Sequence, residues 1–461
     1  MIAMMASELA KVIDGVMHDS NDVSVSGSVV IDSRDVTVGG IFFAIKGEKL
    51  DGADYSDDAY KRGAVLVIAQ RQVSGPCIVV EDVVASLGKL ARHVREELVN
   101  LEVIAITGSQ GKTTTKDLIS WITSLVGKTV ATFASYNNEI GLPLTILNCT
   151  QETKYCVVEM GARRSGDIAL LCEIAQPNYG VVLKVGSAHI GEFGSQEIIA
   201  RTKAELVTSL KGDGVAILGS YDEFTPHMAD DLSIKKITFG EGPNEDVRAT
   251  DIEIREGRAH FDLVTPVGRA AVGLRLIGEH QVSNALAAAA VATALGISLD
   301  TIAGGLSTAE VHSKWRMELH ELPGLLLIND AYNANTESTA AALRVLALFA
   351  QERGGLSWAF LGKMHELGES SAQEHAKIGT LAESMGIDHL VCVSAPEYAL
   401  ALSDSDDIRV HLCTSISEAE LFAEHFSPGD SVLVKASRAE KLELLAESLI
   451  STWNSKLGEQ E

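Results

Sequence analysis

Ile106 to Lys116 read ITGSQGKTTTK, a spacing that can hold a polyphosphate. Gly108 and Gly111 let the backbone curl so that successive N–H groups face inward. A helix starting just after them adds its partial positive charge. Lys112 can reach the terminal phosphates of a nucleotide, and the Thr113 hydroxyl can ligate Mg²⁺. The spacing departs from the common GxxxxGK[ST] loop, because Ile106 stands where its first Gly would be. Glu159 closes the apolar run Tyr155–Glu159 and is a second candidate Mg²⁺ ligand, since sites on parallel sheets collect at strand C-terminal ends. A carboxylate capping a turn is the alternative for Glu159. His189 follows another strand-like run near Gly191 and Gly194, where a satisfied or surface histidine is the plain alternative.

These residues need a strand before the loop and a helix after it. Val103 to Ile106 is an apolar run of strand length, and Leu118, Ile119, Ile122 and Leu125 recur at helical spacing. Beyond Glu102, strand-like runs (Val130–Phe133, Tyr155–Glu159, Gly180–Leu183, Val215–Leu218) alternate with helical patterns, which implies a mainly parallel sheet with helices on both faces. Acidic strand-like segments run from Gly240 to Leu276, followed by helices His280–Leu295 and Leu299–Gly305. A third block starts near Lys314, with strands Leu325–Ile328, Trp358–Leu361, Leu390–Val393 and Val432–Val434. The first hundred residues carry shorter runs (Val29–Ile31, Ile41–Ile45, Val65–Ile68, Cys77–Val80) and a helix from Ser86 to Leu98, with no nucleotide loop of their own. The expected fold class is α/β with three domains, at 1–100, 101–313 and 314–461.

The chain of 461 residues carries 63 acidic and 38 basic side chains, a formal charge of −25. That balance argues against sequence-independent nucleic-acid binding and against anionic membranes, both of which need basic surface. Anionic ligands must be held by local Lys and Arg or by Mg²⁺. The six cysteines show no CxxC spacing and read as reduced core thiols of a cytosolic protein. The N-terminal MIAMMASELAKVIDGVM is interrupted by Glu8, Lys11 and Asp14 and reads as an amphipathic helix, not a signal peptide. The apolar stretch Ala285–Leu295 is too short to span a membrane, so no membrane insertion is expected.

Further stretches make the pattern specific. Asn137-Asn138-Glu139-Ile140-Gly141-Leu142-Pro143, Val158-Glu159-Met160-Gly161-Ala162, Ala188-His189 with Gly191 and Phe193, Lys203-Ala204-Glu205, His280 with Asn284-Ala285-Leu286, Arg316-Met317-Glu318 and Asp330-Ala331-Tyr332-Asn333-Ala334-Asn335 follow the loop in order. Together they resemble the Mur ligases, ATP-dependent amide-forming enzymes of peptidoglycan precursor synthesis, over essentially the whole chain. Asp32-Ser33-Arg34, Gly47 and Asp51-Gly52 resemble the members that add the third residue or the terminal dipeptide. DAYNANTES (Asp330–Ser338) and LGKMHELGE (Leu361–Glu369) resemble the dipeptide-adding member.

The resemblance implies an N-terminal α/β domain binding the uridine-linked precursor, a central P-loop-type ATPase domain with a mainly parallel sheet, and a C-terminal Rossmann-like α/β domain. It implies ATP, one or two Mg²⁺, UDP-N-acetylmuramoyl-tripeptide and D-alanyl-D-alanine as ligands, an acyl-phosphate intermediate, a cytoplasmic location and a monomer. Lys112, His189, Lys203 and Arg316 are then catalytic, with Thr113, Glu159 and His189 at the metal. Lys203 stands where the family often carries a lysine carbamylated by CO₂. Gly108, Ser109, Gln110, Gly111, Lys112, Thr113, Thr114, Asn284 (near the adenine), Arg316, Asp330 and Asn333 serve the nucleotide, with Tyr332 beside them. Ser33, Arg34, Gly47, Asp51 and Gly52 serve the uridine nucleotide, Asn137 and Asn138 the substrate, and Lys435, Ser437 and Arg438 the acceptor carboxylate.

The chain departs from the family pattern at Lys363 (commonly Asp), Gly219-Ser220 (commonly Asn-Ala), Thr336 (commonly Pro) and Ala436 (commonly Gly). None of these touches the phosphate loop. A sister ligase with a different amino-acid acceptor and a non-catalytic nucleotide-binding relative remain as alternatives.

Overall fold

The computed structural model describes residues 1–19, 22–133, 135–186, 190–310, 313–402 and 407–458. The apolar run before the loop becomes strand Glu102–Thr107, and its period-two alternation decides what each side chain meets. Val103 and Ala105 face a cluster shared with the N-terminal region, while Ile104 and Ile106 face a cluster built on the alanine-rich helix Gln281–Ala294. The strand is buried on both faces, as the near-continuous apolar composition requires.

Its sheet has nine strands in the spatial order Gly268–Ile277, Arg258–Thr265, Val247–Arg255, Lys235–Gly240, Val215–Gly219, Tyr179–Val182, Glu102–Thr107, Tyr155–Glu159 and Thr129–Ala131. The first three pair antiparallel; from Val247–Arg255 onward neighbours run parallel. The chain leaves Glu102–Thr107 first toward one edge and later toward the other. The crevice outside its C-terminal end is therefore a topological switch point, where ligands of open α/β sheets bind. Helix Lys112–Ser124 packs on helix Gln281–Ala294, whose Ala285 and Ala287 to Ala290 are fully buried and allow close approach.

The N-terminal sheet orders Val16–His18, Cys77–Val79, Leu66–Ala69, Ile41–Phe43 and Val29–Val30, with only the first antiparallel to its neighbour. Helix Val83–Glu97 is capped by the Asp82 carboxylate, which accepts from the N–H groups of Val84 and Ala85. Its buried Leu87, Leu90 and Val94 are each worth about 1.5–3 kcal/mol relative to exposure. The helix packs on Gly141–Leu147 and Asp167–Ala175 of the central region, so both regions share one apolar cluster from Met4 to Ala229. Arg95 ties the joint by donating to the carbonyls of Ala175 and Gln176 and to Asn178 Oδ1.

The N-terminus corrects the single amphipathic helix expected there. Met4–Met5 is a short strand, the helix covers only Ala6–Val12, and Val16–His18 joins the sheet. Asp14 takes a positive φ of 54°, and a Cβ at Gly15 would lie 2.2 Å from Ile78 Cγ2, so the chain turns sharply there and enters the sheet beside Val79.

The C-terminal sheet has six strands, ordered Glu318–Leu322, Leu325–Asp330, Ser431–Lys435, Ser357–Leu361, His389–Val393 and Arg409–Cys413, parallel except for the first. Helices Thr336–Arg353, Ser371–Ser384 and Glu443–Gly458 cover it. The strands Lys235–Gly240, Glu318–Leu322 and Arg409–Cys413 were not expected, because each mixes charged residues into an edge-like or half-exposed run. All six cysteines are buried free thiols.

Candidate active site

The glycine loop leaves strand Glu102–Thr107 and feeds helix Lys112–Ser124. Gly111 has φ +81°, and a Cβ there would lie 2.3 Å from Asn284 Oδ1, so only glycine fits. Asn284 is itself fixed: its Oδ1 accepts from Thr115 Oγ1 at 3.3 Å and its Nδ2 donates to Gln281 Oε1 at 2.8 Å. Lys112 folds back to donate to the Gly108 carbonyl at 2.8 Å. Burial pulls its ammonium down from the ordinary lysine value; Glu159 works against this and Arg316 adds to it. The Ser109 hydroxyl accepts from the Gly186 N–H at 2.8 Å, which ties the loop to the exit of strand Tyr179–Val182.

Glu159 is 1% exposed at the end of its strand. Thr113 donates its hydroxyl to Oε2 at 2.9 Å, and Asn137 donates its amide to Oε1 at 2.9 Å. Asn138 lies beside this pair but serves the backbone, accepting from Ile140 and Gly141 at 3.3 and 3.0 Å. Lys203, on helix Gln196–Thr208, is 9% exposed. Burial, with the nearby Lys112 charge, pulls its amine down to about 7. His189 lies outside the described residues.

The C-terminal region supplies the opposite wall. Arg316 Nη2 donates to Ser135 Oγ at 3.2 Å, and the guanidinium lies 4.0 Å from the centre of the Tyr332 ring. Its Nε is buried with no partner among the described residues. Asp330 accepts from the Met317 N–H at 3.1 Å and from Lys435 Nζ at 2.5 Å, and Lys435 also donates to the Asn333 carbonyl at 2.9 Å. Gln110 Nε2 crosses the seam to Asn335 Oδ1 and Glu337 Oε2, both at 3.1 Å. The cleft so enclosed has a volume of ≈ 590 Å³ and is lined by the loop from Ser109 to Thr114, Glu159, Asn284, Arg316, Asp330 and Asn333 together.

Other sequence-derived candidates stand apart from this cleft. Ser33 donates to Asp58 Oδ2 at 3.0 Å, and exposed Arg34 pairs with Asp32, holding that carboxyl down at about 2. Asp51 accepts from the Ala53 N–H at 2.9 Å and pairs with Arg71 at 3.4 Å. Gly52 is forced, since a Cβ would lie 2.6 Å from the Ile45 carbonyl, and the Gly47 N–H donates to the Leu50 carbonyl at 2.9 Å. Ser437 accepts from the His365 N–H at 3.0 Å, while Arg438 pairs with Glu443 at 2.5 Å and covers the Trp315 ring at 4.4 Å. Lys435 lines the nucleotide cleft and is 2% exposed, unlike Arg438.

Sequence reasoning missed Ser135, Lys184, Gln281, Glu337 and Arg344, all of which line the cleft. Glu337 stands inside DAYNANTES and Gln281 between His280 and Asn284, while Ser135 lies two residues before Asn137; Lys184 and Arg344 had no such signal. Gly219, one of the departures from the family pattern, has a local reason: a Cβ there would lie 2.1 Å from the Leu183 carbonyl.

A phosphate loop, a buried carboxylate and an arginine delivered from a second α/β domain define a nucleotide-site protein built from α/β domains. Family models match along the chain: Mur ligase family, catalytic domain at 27–108, Mur ligase middle domain at 106–292, and Mur ligase, glutamate ligase domain at 315–438. The chain belongs to the Mur ligase family. It is 37% identical to the UDP-N-acetylmuramoyl-tripeptide--D-alanyl-D-alanine ligase of Mycobacterium tuberculosis, covering 98% of each chain. It is 32% identical to the ligase of the same name from Escherichia coli, over 97% of this chain and 99% of that one. Among solved structures, MurF from Acinetobacter baumannii superposes with a TM-score of 0.88 at 34% identity, covering 98% of this chain and 99% of that chain. MurF ligase from Thermotoga maritima, solved in complex with ADP, gives 0.80 at 30% identity, with 94% and 99% covered.

Proposed function

We propose that this chain joins D-alanyl-D-alanine to UDP-N-acetylmuramoyl-tripeptide, using ATP, to give the UDP-linked pentapeptide precursor of peptidoglycan. The observation that carries this reading is the convergence of Lys112, Thr113, Glu159 and Arg316 on one cleft between two domains, in a chain similar end to end to ligases of that name.

The tripeptide's terminal carboxylate oxygen attacks the γ-phosphorus of ATP, the bond to the β-phosphate oxygen breaks, and ADP leaves. The dipeptide's amine then attacks the acyl carbon, loses a proton, and the tetrahedral intermediate expels phosphate. Both steps need charge neutralised at transferring oxygens more than they need covalent help. Lys112 takes the β- and γ-phosphates and Arg316 the developing charge from the C-terminal side, with Asp330, Tyr332 and Asn333 positioning the nucleotide and Asn284 near the adenine. The Thr113 hydroxyl and Glu159 carboxylate, two hard oxygens 2.9 Å apart, would hold a Mg²⁺, which would supply Lewis-acid charge to the phosphates; His189 is proposed near it.

Lys203 is proposed as the carbamylated lysine. Attack on CO₂ needs a neutral amine, and its burial supplies a large neutral fraction near pH 7. The resulting negative charge replaces repulsion of Lys112 by attraction.

Ser33, Arg34, Gly47, Asp51 and Gly52 are assigned to the uridine nucleotide, Asn137 and Asn138 to the peptide substrate, and Lys435, Ser437 and Arg438 to the acceptor carboxylate. Domain boundaries near 100 and 313, a monomeric state and a cytoplasmic location complete the reading. Among the described residues no helix is long and apolar enough to cross a membrane.

The test is phosphate release from Mg²⁺-ATP with the tripeptide precursor and D-alanyl-D-alanine, added singly and together. Release only with both, matched by pentapeptide product, is expected. Release with a different amino acid would move the chain to a sister ligase, and ATP binding without release would make it non-catalytic.

A further inference from the structure

Lys184 lies at the exit of strand Tyr179–Val182, outside every motif that marks the site. Its backbone is bolted to the phosphate loop. The Lys184 carbonyl accepts from the Ser109 N–H at 2.9 Å, and two residues on, the Gly186 N–H donates to Ser109 Oγ. The preceding Leu183 presses on the loop so closely that a Cβ at Gly108 would lie 2.9 Å from Leu183 Cβ. The half-buried side chain lines both the ≈ 590 Å³ cleft and a smaller slot of ≈ 60 Å³ against Gln110 and Gly111.

Three other cations of the cleft already have partners, and Arg344, also on its wall, is exposed. Lys112 donates to Gly108, Lys435 is held by Asp330 and Asn333, and Arg316 reaches Ser135 and stacks on Tyr332. The Lys184 ammonium has no hydrogen bond or ion pair among the described residues. Asp222 and Glu337 are the carboxylates that act on it, and neither is free for it. Asp222 accepts from Val185 N, Phe224 N, Thr225 N and Thr225 Oγ1, each at 2.8 Å, and Glu337 accepts from Gln110. A half-buried ammonium with no hydrogen bond or ion pair among the described residues is costly, and the carboxylates near it offset that cost only through space.

We propose that Lys184 is a second phosphate-binding cation of the nucleotide site, contacting the phosphate chain of ATP and ADP from the side opposite Glu159. The proposal rests on the nucleotide reading of the cleft.

The test is calorimetric titration of the full chain with ATP, ADP and adenosine, comparing wild type with Lys184→Met, which keeps the apolar stem, and Lys184→Arg, which keeps the charge. Lys184→Gln serves as a second neutral variant should the Met form fail to fold. A neutral variant is expected to weaken ATP and ADP about tenfold or more while leaving adenosine unchanged, and Arg to stay within a few-fold of wild type. Wild-type ADP and ATP affinity in a neutral variant, or an equal loss for adenosine, overturns the proposal. Lys112→Ala, measured alongside, separates the two readings. Loss of ADP binding there but not in Lys184→Met sinks this proposal alone, whereas no loss in either sinks the nucleotide site itself.

Discussion

Thr113 and Glu159, 46 residues apart in sequence, meet through a 2.9 Å hydrogen bond that joins the first turn of the loop helix to the end of the neighbouring strand. Two adjacent parallel strands in register bring them together: Glu159 sits opposite Ile106, just before the loop begins. The pair holds an oxygen-rich edge against the phosphate cradle.

Removing charge from that edge while keeping its shape isolates its role. Glu159→Gln retains an acceptor for Thr113 and is expected to lower kcat about 10²–10³-fold and to raise the Mg²⁺ concentration needed for half-maximal rate. Thermal stability should change only modestly, since the amide oxygen can still accept from Thr113 and Asn137 can turn its own amide to accept from the new NH₂. An unchanged Mg²⁺ requirement would remove Glu159 from the metal. Lys112→Ala should abolish ATP-dependent turnover with the fold intact, checked by product formation and melting temperature; unchanged turnover would end the loop assignment.

Lys203 predicts a dependence on CO₂. Enzyme stripped of bicarbonate should lose activity and regain it when bicarbonate is restored, and ¹³CO₂ should give a carbamate NMR signal absent from Lys203→Ala. Burial lowers this amine from 10.5 to about 7, so the folded state holds fewer protons than the unfolded one between these values. The unmodified chain therefore gains stability from this group as pH rises through that window, and the carbamate fades as pH falls below about 7. A carbamate signal that survives Lys203→Ala would assign it elsewhere.

Gly191 and Gly368 form a contact between the central and C-terminal regions. The Gly191 N–H donates to the Glu366 carbonyl at 3.3 Å, and a Cβ at Gly191 would lie 2.5 Å from Gly368 N. Gly191→Ala should hold the domains apart. The expected result is a fall in kcat of about tenfold or more with ADP affinity near wild type, and a larger radius of gyration by X-ray scattering with nucleotide bound. Equal scattering curves for variant and wild type would show that the contact does not limit closure.

A histidine pair far from the chemistry is expected to lower stability in acid. His389 Nδ1 and His411 Nε2 are 3.0 Å apart, with His389 stacked 3.6 Å from the Trp358 ring centre. Burial, then the neighbouring His411 and Arg409, pulls His389 from 6.5 to about 4; burial, then His425 and Arg409, lowers His411. Below 6.5 the unfolded chain binds protons that the folded chain refuses, so stability falls as pH drops toward about 4. His389→Phe, which keeps the stack, should flatten the fall in melting temperature over that range. An equally steep fall in the variant would exonerate the pair.

Much of this was legible in the residues. The loop, Glu159 and Lys112 announce themselves because phosphate binding needs glycine conformations, a helix start and a strand end in a fixed local order, all written within a few residues. Strand and helix periods likewise report burial directly, which is why Glu102–Thr107 and Tyr155–Glu159 were readable and the charged edge strands Glu318–Leu322 and Arg409–Cys413 were not. The likeness of Arg316 and Asp330 to a ligase pattern named them, but not what they touch.

The sequence by itself determined the domain class, the phosphate cradle and the family, because these rest on local backbone demands and on order along the chain. Only the tertiary structure decided that Gln110 grips Asn335 and Glu337 across the seam, that Arg95 locks the first two regions into one core, and that Lys184 stands beside the loop with no hydrogen bond or ion pair among the described residues. Each of these depends on groups brought together from distant positions. Desolvation and the lack or presence of a counter-charge are properties of the packed surroundings, which no local spacing encodes.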